Sequence, residues 1–216
     1  NSRLQQLTAW SNDPVADPPG EWLLLQDPRT RHSWSLSPSA WGAGDTRYRV
    51  SHGQGRTVIS HRHGDLHVRT SWCVDPLLAV KQVRVQIDNR GSVSRTLRLL
   101  SVAEWMLGER RSDRRTVQTA LHRQRLGAAL EGDTATRKLT ALLATQLDRA
   151  GGFGGATAFL AVVDAADQPE DWTCDRRECF DARGRLVLPD HFGQHAGRGH
   201  DPCAALAVAW TLAAGE

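Results

Sequence analysis

Apolar and polar side chains alternate along much of the first half of the chain, and this period of two constrains the fold more than any other feature. In residues 66–74 the apolar positions share one face of a strand, and residues 81–87 repeat the pattern. Residues 88–92 have the composition of a hairpin turn, and residues 95–99 alternate again. Three such strands joined by short turns predict an antiparallel meander with one buried face.

The second half of the chain adds strands of a different kind. Residues 156–163 and 204–210 are rich in alanine and continuously apolar, as expected of strands that are buried on both faces. Residues 116–130 and 134–147 stay open between helix and strand, since the leucines of the latter have helical spacing. No internal repeat or domain boundary is visible. The prediction is all-β: one large antiparallel β-sandwich over residues 1–216, with room for one or two short helices.

Composition limits the classes of function. The 216 residues carry a net charge of only +3, and their four cysteines have no metal-binding spacing, which favours buried free thiols in a reducing, cytoplasmic compartment. The one basic cluster, residues 110–115, is interpreted as a solvated loop in preference to a polyanion site, so no nucleic-acid partner is expected. No membrane span or signal peptide is visible. The sole methionine, Met106, is internal, which suggests a piece excised from a longer protein.

Residues 7–21 form the segment with the densest turn chemistry. Asn12, Asp13 and Asp17 can accept hydrogen bonds from neighbouring backbone amides, and three prolines fix φ and remove backbone donors. No helix or regular strand can pass through such a segment. Its tryptophan, Trp10, and the apolar run that follows favour a rigid loop over a linker.

Eight tryptophans accompany a single tyrosine. Three lie in strand patterns and are expected in the core: Trp72, Trp105 and Trp210. Five are expected in or beside loops: Trp10, Trp22, Trp34, Trp41 and Trp172. An indole in a loop either packs the connection or offers a flat face to a ligand such as a sugar ring. Packing is the better interpretation for each one singly, and the clustering of five in polar loops keeps the second alternative open.

Other side chains raise chemical alternatives. His61, His63 and His67 could supply metal ligands, but two exposed histidines beside a hairpin explain them better, and neither a metal nor another cofactor is predicted. Several carboxylates could in principle cleave a glycosidic bond, which needs two facing carboxyl groups. Glu104 lies within an apolar strand and must therefore find a partner or face a cleft.

Five segments, in order along the chain, carry a family resemblance: residues 7–21, 48–55, 102–108, 175–180 and 201–206. Together they resemble the N-terminal β-sandwich region of glycoside hydrolase family 94, formerly glycosyltransferase family 36. The segment 7–21 is closer to the cyclic β-1,2-glucan synthases of this group than to its cellobiose phosphorylases.

The resemblance implies a supersandwich of two antiparallel sheets, similar to galactose mutarotase, followed in the full protein by an (α/α)6 barrel. Catalytic and phosphate-binding residues of the family lie in that barrel, so no catalytic residue is assigned to this chain. The implied parent is a glycosyltransferase or phosphorylase associated with the inner membrane of a Gram-negative bacterium, with this domain on the cytoplasmic side and itself without membrane contact.

The leading expectation is therefore a non-catalytic domain that supports the glucan-processing barrel and contacts a β-glucan or glucooligosaccharide. The predicted carbohydrate-binding residues are Trp10, Asp13, Trp34, Trp41, Glu104, Asp175 and Arg176. One alternative is a purely structural domain that packs on the barrel or on a second subunit, as in a homodimer. Another is an autonomous glycosidase or epimerase, for which the isolated chain would have to show activity.

Overall fold

The computed structural model describes residues 5–9, 19–38, 45–126, 137–150, 152–163 and 171–216. Across those ranges the chain forms β-strands and two 3₁₀ helices, of six and three residues, and no α-helix. The predicted all-β fold with short helices is confirmed. None of the helices in those ranges has the length and apolarity needed to cross a bilayer.

The strands are numbered along the chain as follows: β1 (Gln6–Thr8), β2 (Glu21–Gln26), β3 (Ser33–Ser35), β4 (Tyr48–Gly53), β5 (Arg56–His63), β6 (Leu66–Val74), β7 (Lys81–Asn89), β8 (Arg95–Gly108), β9 (Val117–Leu126), β10 (Arg137–Gln146), β11 (Thr157–Val162), β12 (Asp171–Asp175) and β13 (Pro202–Leu212). The 3₁₀ helices are Arg111–Thr116, before β9, and Arg176–Glu178, after β12.

The chain divides into two compact units. The first unit comprises residues 1–22 and 100–208, and the second comprises residues 23–99 and 209–216. Strands β2, β8 and β13 each contribute residues to both units.

The first unit contains an antiparallel three-stranded sheet in the order β11-β10-β9, and β12, β13 and β8 are neighbours in another sheet. Its core is made of apolar side chains from these strands, including Trp105, Leu142, Trp172, Cys174 and Leu206.

Of the four cysteines, three are buried and Cys73 is half-buried, and all are free thiols as predicted.

Residues 116–150, left open between helix and strand, form strands β9 and β10 over most of their described part, with Thr116 ending the preceding 3₁₀ helix. Leu142 of β10 pairs with Leu121 of β9 and with Leu160 of β11. The leucine spacing resembled a helix because β10 is the central strand of its sheet. Leu142 is buried while its neighbour Leu143 is only half-buried, so both faces of the strand carry leucine.

The second unit contains a four-stranded antiparallel sheet in the order β4-β5-β6-β7. The predicted alternation of β6 is confirmed at Leu66 and Val68, which are buried, whereas Val74 at its end is 64% exposed. The predicted meander is wrong at its third strand, because β8 does not pair with β7. Instead β8 lies beside β2, and Leu97 packs with Leu66 and Val68 in one core. Alternation identifies the buried face of a strand but not the neighbour it pairs with.

Three tryptophans expected in or beside loops lie within strands. Trp22 in β2, Trp34 in β3 and Trp172 in β12 are 7%, 2% and 6% exposed. The prediction failed because these strands are only three to six residues long and are flanked by turn residues. Their sequences therefore resemble those of loops. Trp10 and Trp41 lie outside the described residues.

Only the two ends of the proline-rich segment belong to the described residues. The amide of Ala9 donates to the carbonyl of Glu104 at 3.1 Å, and the Glu104 amide donates to the carbonyl of Gly20 at 2.8 Å. A Cβ atom on Gly20 would lie 2.4 Å from the Ala9 carbonyl oxygen, so only glycine fits here. Both ends are therefore tied to strand β8, and the predicted rigid loop between them lies outside the described residues.

Candidate functional site

The first unit contains a buried ionic network centred on Glu104, which is 2% exposed. Arg176 donates from Nε to Glu104 Oε2 at 2.7 Å, and Nη1 of Arg114 lies 3.6 Å from the same oxygen. Both arginines also face Asp201, at 2.7 Å from Arg114 Nη2 and 4.0 Å from Arg176 Nη1. A carboxylate at this depth is stable only beside such partners. The sequence expectation that Glu104 needs a partner is met.

The side chain of Asp175 forms the next part of the network. Arg177 donates to both carboxylate oxygens, with Nε 2.9 Å from Oδ1 and Nη2 2.6 Å from Oδ2, and Nδ1 of His200 lies 3.1 Å from Oδ2. Burial alone would raise the pKa of Asp175, but the hydrogen bonds from Arg177 and His200 outweigh it and lower the pKa to about 2. The carboxylate therefore stays ionised and cannot act as a general acid at neutral pH.

Glu178 closes the loop that follows β12. It accepts hydrogen bonds from the Thr173 hydroxyl, the Gly193 amide and the imidazole of His195, the last at 2.8 Å. Burial would raise the pKa of Glu178, but these hydrogen bonds hold it below its usual value. The carboxylates of Glu104, Asp175 and Glu178 thus form hydrogen bonds or ion pairs within the protein. Their chemical role is to position the groups that they bind.

The second unit contains an open groove of about 1060 Å³. Its lining is His32, Ser33, Trp34, Asp45, Thr46, Arg47, Tyr48, Arg49, Ser60, His61, Arg62, His63, Gly64, His67, Val68, Arg69, Gln86 and Asp88. Aromatic and imidazole rings form one part of this lining, and polar side chains of β4 to β7 form the other.

Trp34 organises the ring-lined part of the groove. Its Nε1 donates to Nε2 of His61 at 3.0 Å, so His61 is neutral and carries its proton on Nδ1. Burial, together with the nearby His63, lowers the pKa of His61 to about 4. The His63 ring stacks on Trp34 with 4.0 Å between centroids and covers one face of the indole, and His32 stacks on His63 at 5.1 Å.

The polar part of the groove follows the strand register. Arg49, Ser60, Arg69 and Gln86 are successive cross-strand partners from β4 to β7 and therefore share one face of the sheet. Within the described part of the chain, the side chains of Arg49, Arg69 and Gln86 make no hydrogen bond or ion pair. Their donors are available to a ligand.

Among the described residues, no group of three His, Cys, Asp or Glu side chains is placed to hold a metal ion. The acceptor nitrogen of His61 is already used by Trp34, since a lone pair that accepts a hydrogen bond cannot also bind a metal.

The predicted carbohydrate-binding residues divide among three places. Glu104, Asp175 and Arg176 belong to the ionic network of the first unit, where Glu104 and Arg176 are in direct contact. Trp34 belongs to the groove of the second unit. The other three lie outside the described residues: Trp10, Asp13 and Trp41. Sugar binding by any of the seven stays a prediction.

Several contributors were not singled out from the sequence. Arg114 was part of a basic run interpreted as solvated, and its burial at 5% exposure depends on acidic partners distant in sequence. Arg69 lies in a strand whose alternation was visible, but the neighbours of that strand were not, and Tyr48 was noted only within the segment 48–55. The H-x-H spacing of His61 and His63 places both side chains on one face of β5, but their interpretation as exposed histidines is wrong, because His61 is 5% exposed.

Comparison with known proteins identifies a family and a similar curated protein. The family model described as the supersandwich domain of glycosyl hydrolase 94 matches residues 1–216. The cyclic beta-(1,2)-glucan synthase NdvB of Rhizobium meliloti (strain 1021) is 29% identical to this chain over 221 residues, which cover 100% of the chain and 7% of that protein. The chain thus spans only a small part of the length of the curated relative it matches.

Proposed function

Because the chain belongs to the glycosyl hydrolase 94 supersandwich family, we propose that it is the non-catalytic β-sandwich domain of a protein similar to cyclic β-(1,2)-glucan synthase. We further propose that it binds a segment of glucan in the groove of the second unit. The observation that carries this proposal is the composition of the groove. Arginine and glutamine side chains without partners among the described residues lie there beside aromatic and imidazole rings.

The chemistry of that groove suits a sugar chain. Glucose presents hydroxyl groups around its edge and apolar C–H faces, so its binding sites combine planar hydrogen-bonding side chains with ring surfaces. Arg49 and Arg69 each offer a fork of N–H donors that can reach two neighbouring hydroxyls, and Gln86 adds a donor and an acceptor. The exposed ring of His32 and the half-buried ring of Tyr48 supply the surfaces, while Trp34 holds the ring cluster in place.

Titration with β-1,2-glucooligosaccharides, followed by tryptophan fluorescence and amide NMR shifts, tests the proposal. The substitution Arg69→Gln should weaken binding about tenfold, because a hydrogen bond to a charged donor contributes about 1.5 to 3 kcal/mol. Arg84→Gln is the matched control, since Arg84 lies on the same face of the same sheet but does not line the groove.

No saturable change at millimolar sugar would contradict glucan binding by this chain. Equal weakening in the Arg84 and Arg69 variants would contradict the groove as its location. Cello-oligosaccharides serve as the linkage control, and β-1,2-linked sugars should bind more tightly.

A second candidate function, packing on another part of the longer protein or on a second subunit, is favoured by an exposed apolar turn. Val74, Leu77 and Leu78 are 64%, 91% and 64% exposed at the connection from β6 to β7. A contiguous apolar cluster of this kind is typical of interaction surfaces. Sedimentation of the wild type and of Leu77→Ser/Leu78→Ser separates the two partners: loss of a dimer indicates a second subunit, and a monomer in both leaves the helical barrel as the proposed partner.

The cytoplasmic location and the membrane association of the parent protein remain proposals that rest on the resemblance to cyclic glucan synthases. Fractionation of cells that express the complete protein, with antibody against this chain and protease added from the periplasmic side, tests them. Protection of the chain in sealed inner-membrane preparations is expected.

A further inference from the structure

A second pocket, of about 380 Å³, opens on the first unit beside the 3₁₀ helix Arg111–Thr116. It is lined by Arg111, Arg114, Arg115, Arg177, Gly199, His200, Asp201 and Pro202. Four arginines and a histidine thus surround a space in which Asp201 is the single acidic side chain of the lining.

The charges around this pocket do not balance. The buried network offsets Arg114 and Arg176 with Glu104 and Asp201, and Arg177 is paired with Asp175. Arg111 and Arg115 are exposed and make no hydrogen bond or ion pair with any described residue. These five arginines and three carboxylates leave a surplus of two positive charges, both of which belong to guanidinium groups in the pocket lining.

The pocket also contains a buried cation with an unused donor. Arg114 is 5% exposed, and its Nη2 donates to the carbonyl of Pro202 at 3.0 Å. Its Nε is buried and has no hydrogen-bond partner among the described residues. Burial lowers the pKa of the Arg114 guanidinium even though Asp201 and Glu104 oppose the change, so further negative charge nearby would be favourable.

The lining residue Gly199 follows a glycine, Gly197, that is fixed to strand β9. The amide of Gly197 donates to the Thr119 hydroxyl at 3.1 Å, and the Thr119 amide donates back to the carbonyl of Gly197 at 3.1 Å. Gly199 has φ +82°, and a Cβ there would meet nothing within 4 Å. The segment is therefore anchored at Gly197, and the space in front of Gly199 stays open to a ligand.

We propose that this arginine pocket binds a phosphate group, either as inorganic phosphate or as a phosphate monoester. A phosphate dianion matches the surplus of two positive charges, and its oxygens accept paired N–H bonds from guanidinium forks. Arg111 and Arg115 supply the free forks, and His200 lies beside them in the lining. The pocket is larger than a phosphate ion, which leaves room for the esterified part of a monoester.

Isothermal titration calorimetry of this chain with inorganic phosphate, and separately with glycerol 1-phosphate, tests the proposal. The double substitution Arg111→Gln/Arg115→Gln should weaken binding about tenfold or more, since each lost charged hydrogen bond alone is worth about that factor. The matched control is Arg149→Gln/Arg183→Gln, which removes the same charge from exposed positions of the first unit that do not line the pocket.

A loss confined to the pocket variant supports the proposal, and whichever titrant binds more tightly identifies the source of the phosphate group. An amide NMR shift of Gly199 and His200 in the wild-type chain gives a measure that does not depend on any variant folding. The proposal is overturned if neither titrant binds saturably at millimolar concentration, if both double variants weaken binding equally, or if the shifts lie elsewhere.

Discussion

The network of the first unit and the groove of the second differ in whether their charged side chains are paired within the protein. In the first unit Glu104, Arg176 and Asp175 lie within a network whose carboxylates are each bound by arginine or histidine. In the second unit Arg49 and Arg69 line a groove and have no partner among the described residues. The carboxylates of Glu104 and Asp175 are buried, whereas the groove is open to solvent.

This difference separates structural from binding roles. A buried charge whose hydrogen bonds are satisfied by the protein has little left to offer a ligand, and removing one partner leaves the other uncompensated. A donor that only water satisfies can exchange that water for a sugar hydroxyl at small cost to the fold. Substitution within the buried network should therefore lower stability, whereas substitution of the groove arginines should lower affinity.

The largest loss of stability is expected from Glu104→Gln. This change leaves the buried Arg114 and the half-buried Arg176 beside a neutral amide, and breaking a buried ion pair in this way costs about 3 to 5 kcal/mol. Urea denaturation followed by tryptophan fluorescence measures it.

Glu109→Gln is the control for that substitution, because Glu109 is exposed and forms its hydrogen bonds with the described residues through its backbone amide and carbonyl. It should change the free energy of unfolding by less than about 0.5 kcal/mol. A loss in Glu104→Gln no greater than in this control would remove the distinction between the two units.

The next effect concerns the anchor of the proline-rich segment. Gly20→Ala places a methyl group 2.4 Å from the carbonyl oxygen of Ala9, where backbone must move, and should cost about 2 kcal/mol. Gly152→Ala is matched to it, since its nearest contact is the flexible side chain of Gln5 at 3.4 Å. Thermal denaturation of both variants distinguishes a rigid anchor from a tolerant loop, and equal melting temperatures would indicate the latter.

The acid dependence of the first unit follows from Asp175. Its folded pKa of about 2 lies below the unfolded value of about 3.9, so its stabilisation is fully present above pH 4 and is lost as the pH falls toward 2. We expect Asp175→Asn to cost about 2 kcal/mol at neutral pH and progressively less below pH 4. Urea denaturation across this range measures the difference, and a cost independent of pH would show that the charge is not responsible.

In the second unit the corresponding titration involves His61. Its folded pKa of about 4 lies below the unfolded value of about 6.5, so the stabilisation present above pH 6.5 declines as the pH falls toward 4. Trp34→Phe removes the hydrogen bond to Nε2 and should cost about 1 kcal/mol at neutral pH. NMR titration should also show a higher pKa for His61 in the variant, and an unchanged pKa would contradict the assigned hydrogen bond.

The sequence predicted the elements better than it predicted their neighbours. Period-two patterning located β6 and β7 and the buried face of β6, because burial of one face leaves a local trace. No local sequence pattern identifies the neighbour of β8, since the choice between β7 and β2 depends on the packing of Leu97 against residues distant in sequence. Residues 134–147 stayed ambiguous for a related reason: a central strand with leucine on both faces has no alternation to detect.

The candidate sites show the same limit. Glu104 was recognised as a charge that needs a partner, but its pairing with Arg176 crosses 72 positions and appears only in the folded chain. Trp34 was expected in or beside a loop but lies in a strand and is 2% exposed, because a three-residue strand flanked by turns is indistinguishable in sequence from a loop. The groove donors Arg49 and Arg69 could not be identified, since an exposed arginine in a strand carries no sign of the cleft beside it.

The smallest effect on stability is expected from Arg69→Gln, and it is the most discriminating. Arg69 is exposed and makes no hydrogen bond or ion pair with a described residue, so its loss should change the free energy of unfolding by less than about 0.5 kcal/mol. The same variant should bind β-1,2-glucooligosaccharides about tenfold more weakly. If denaturation shows unchanged stability in this variant and titration shows weaker binding, the groove is a binding surface. A loss of stability comparable to that of Glu104→Gln would instead show that both units use their charges to hold the fold.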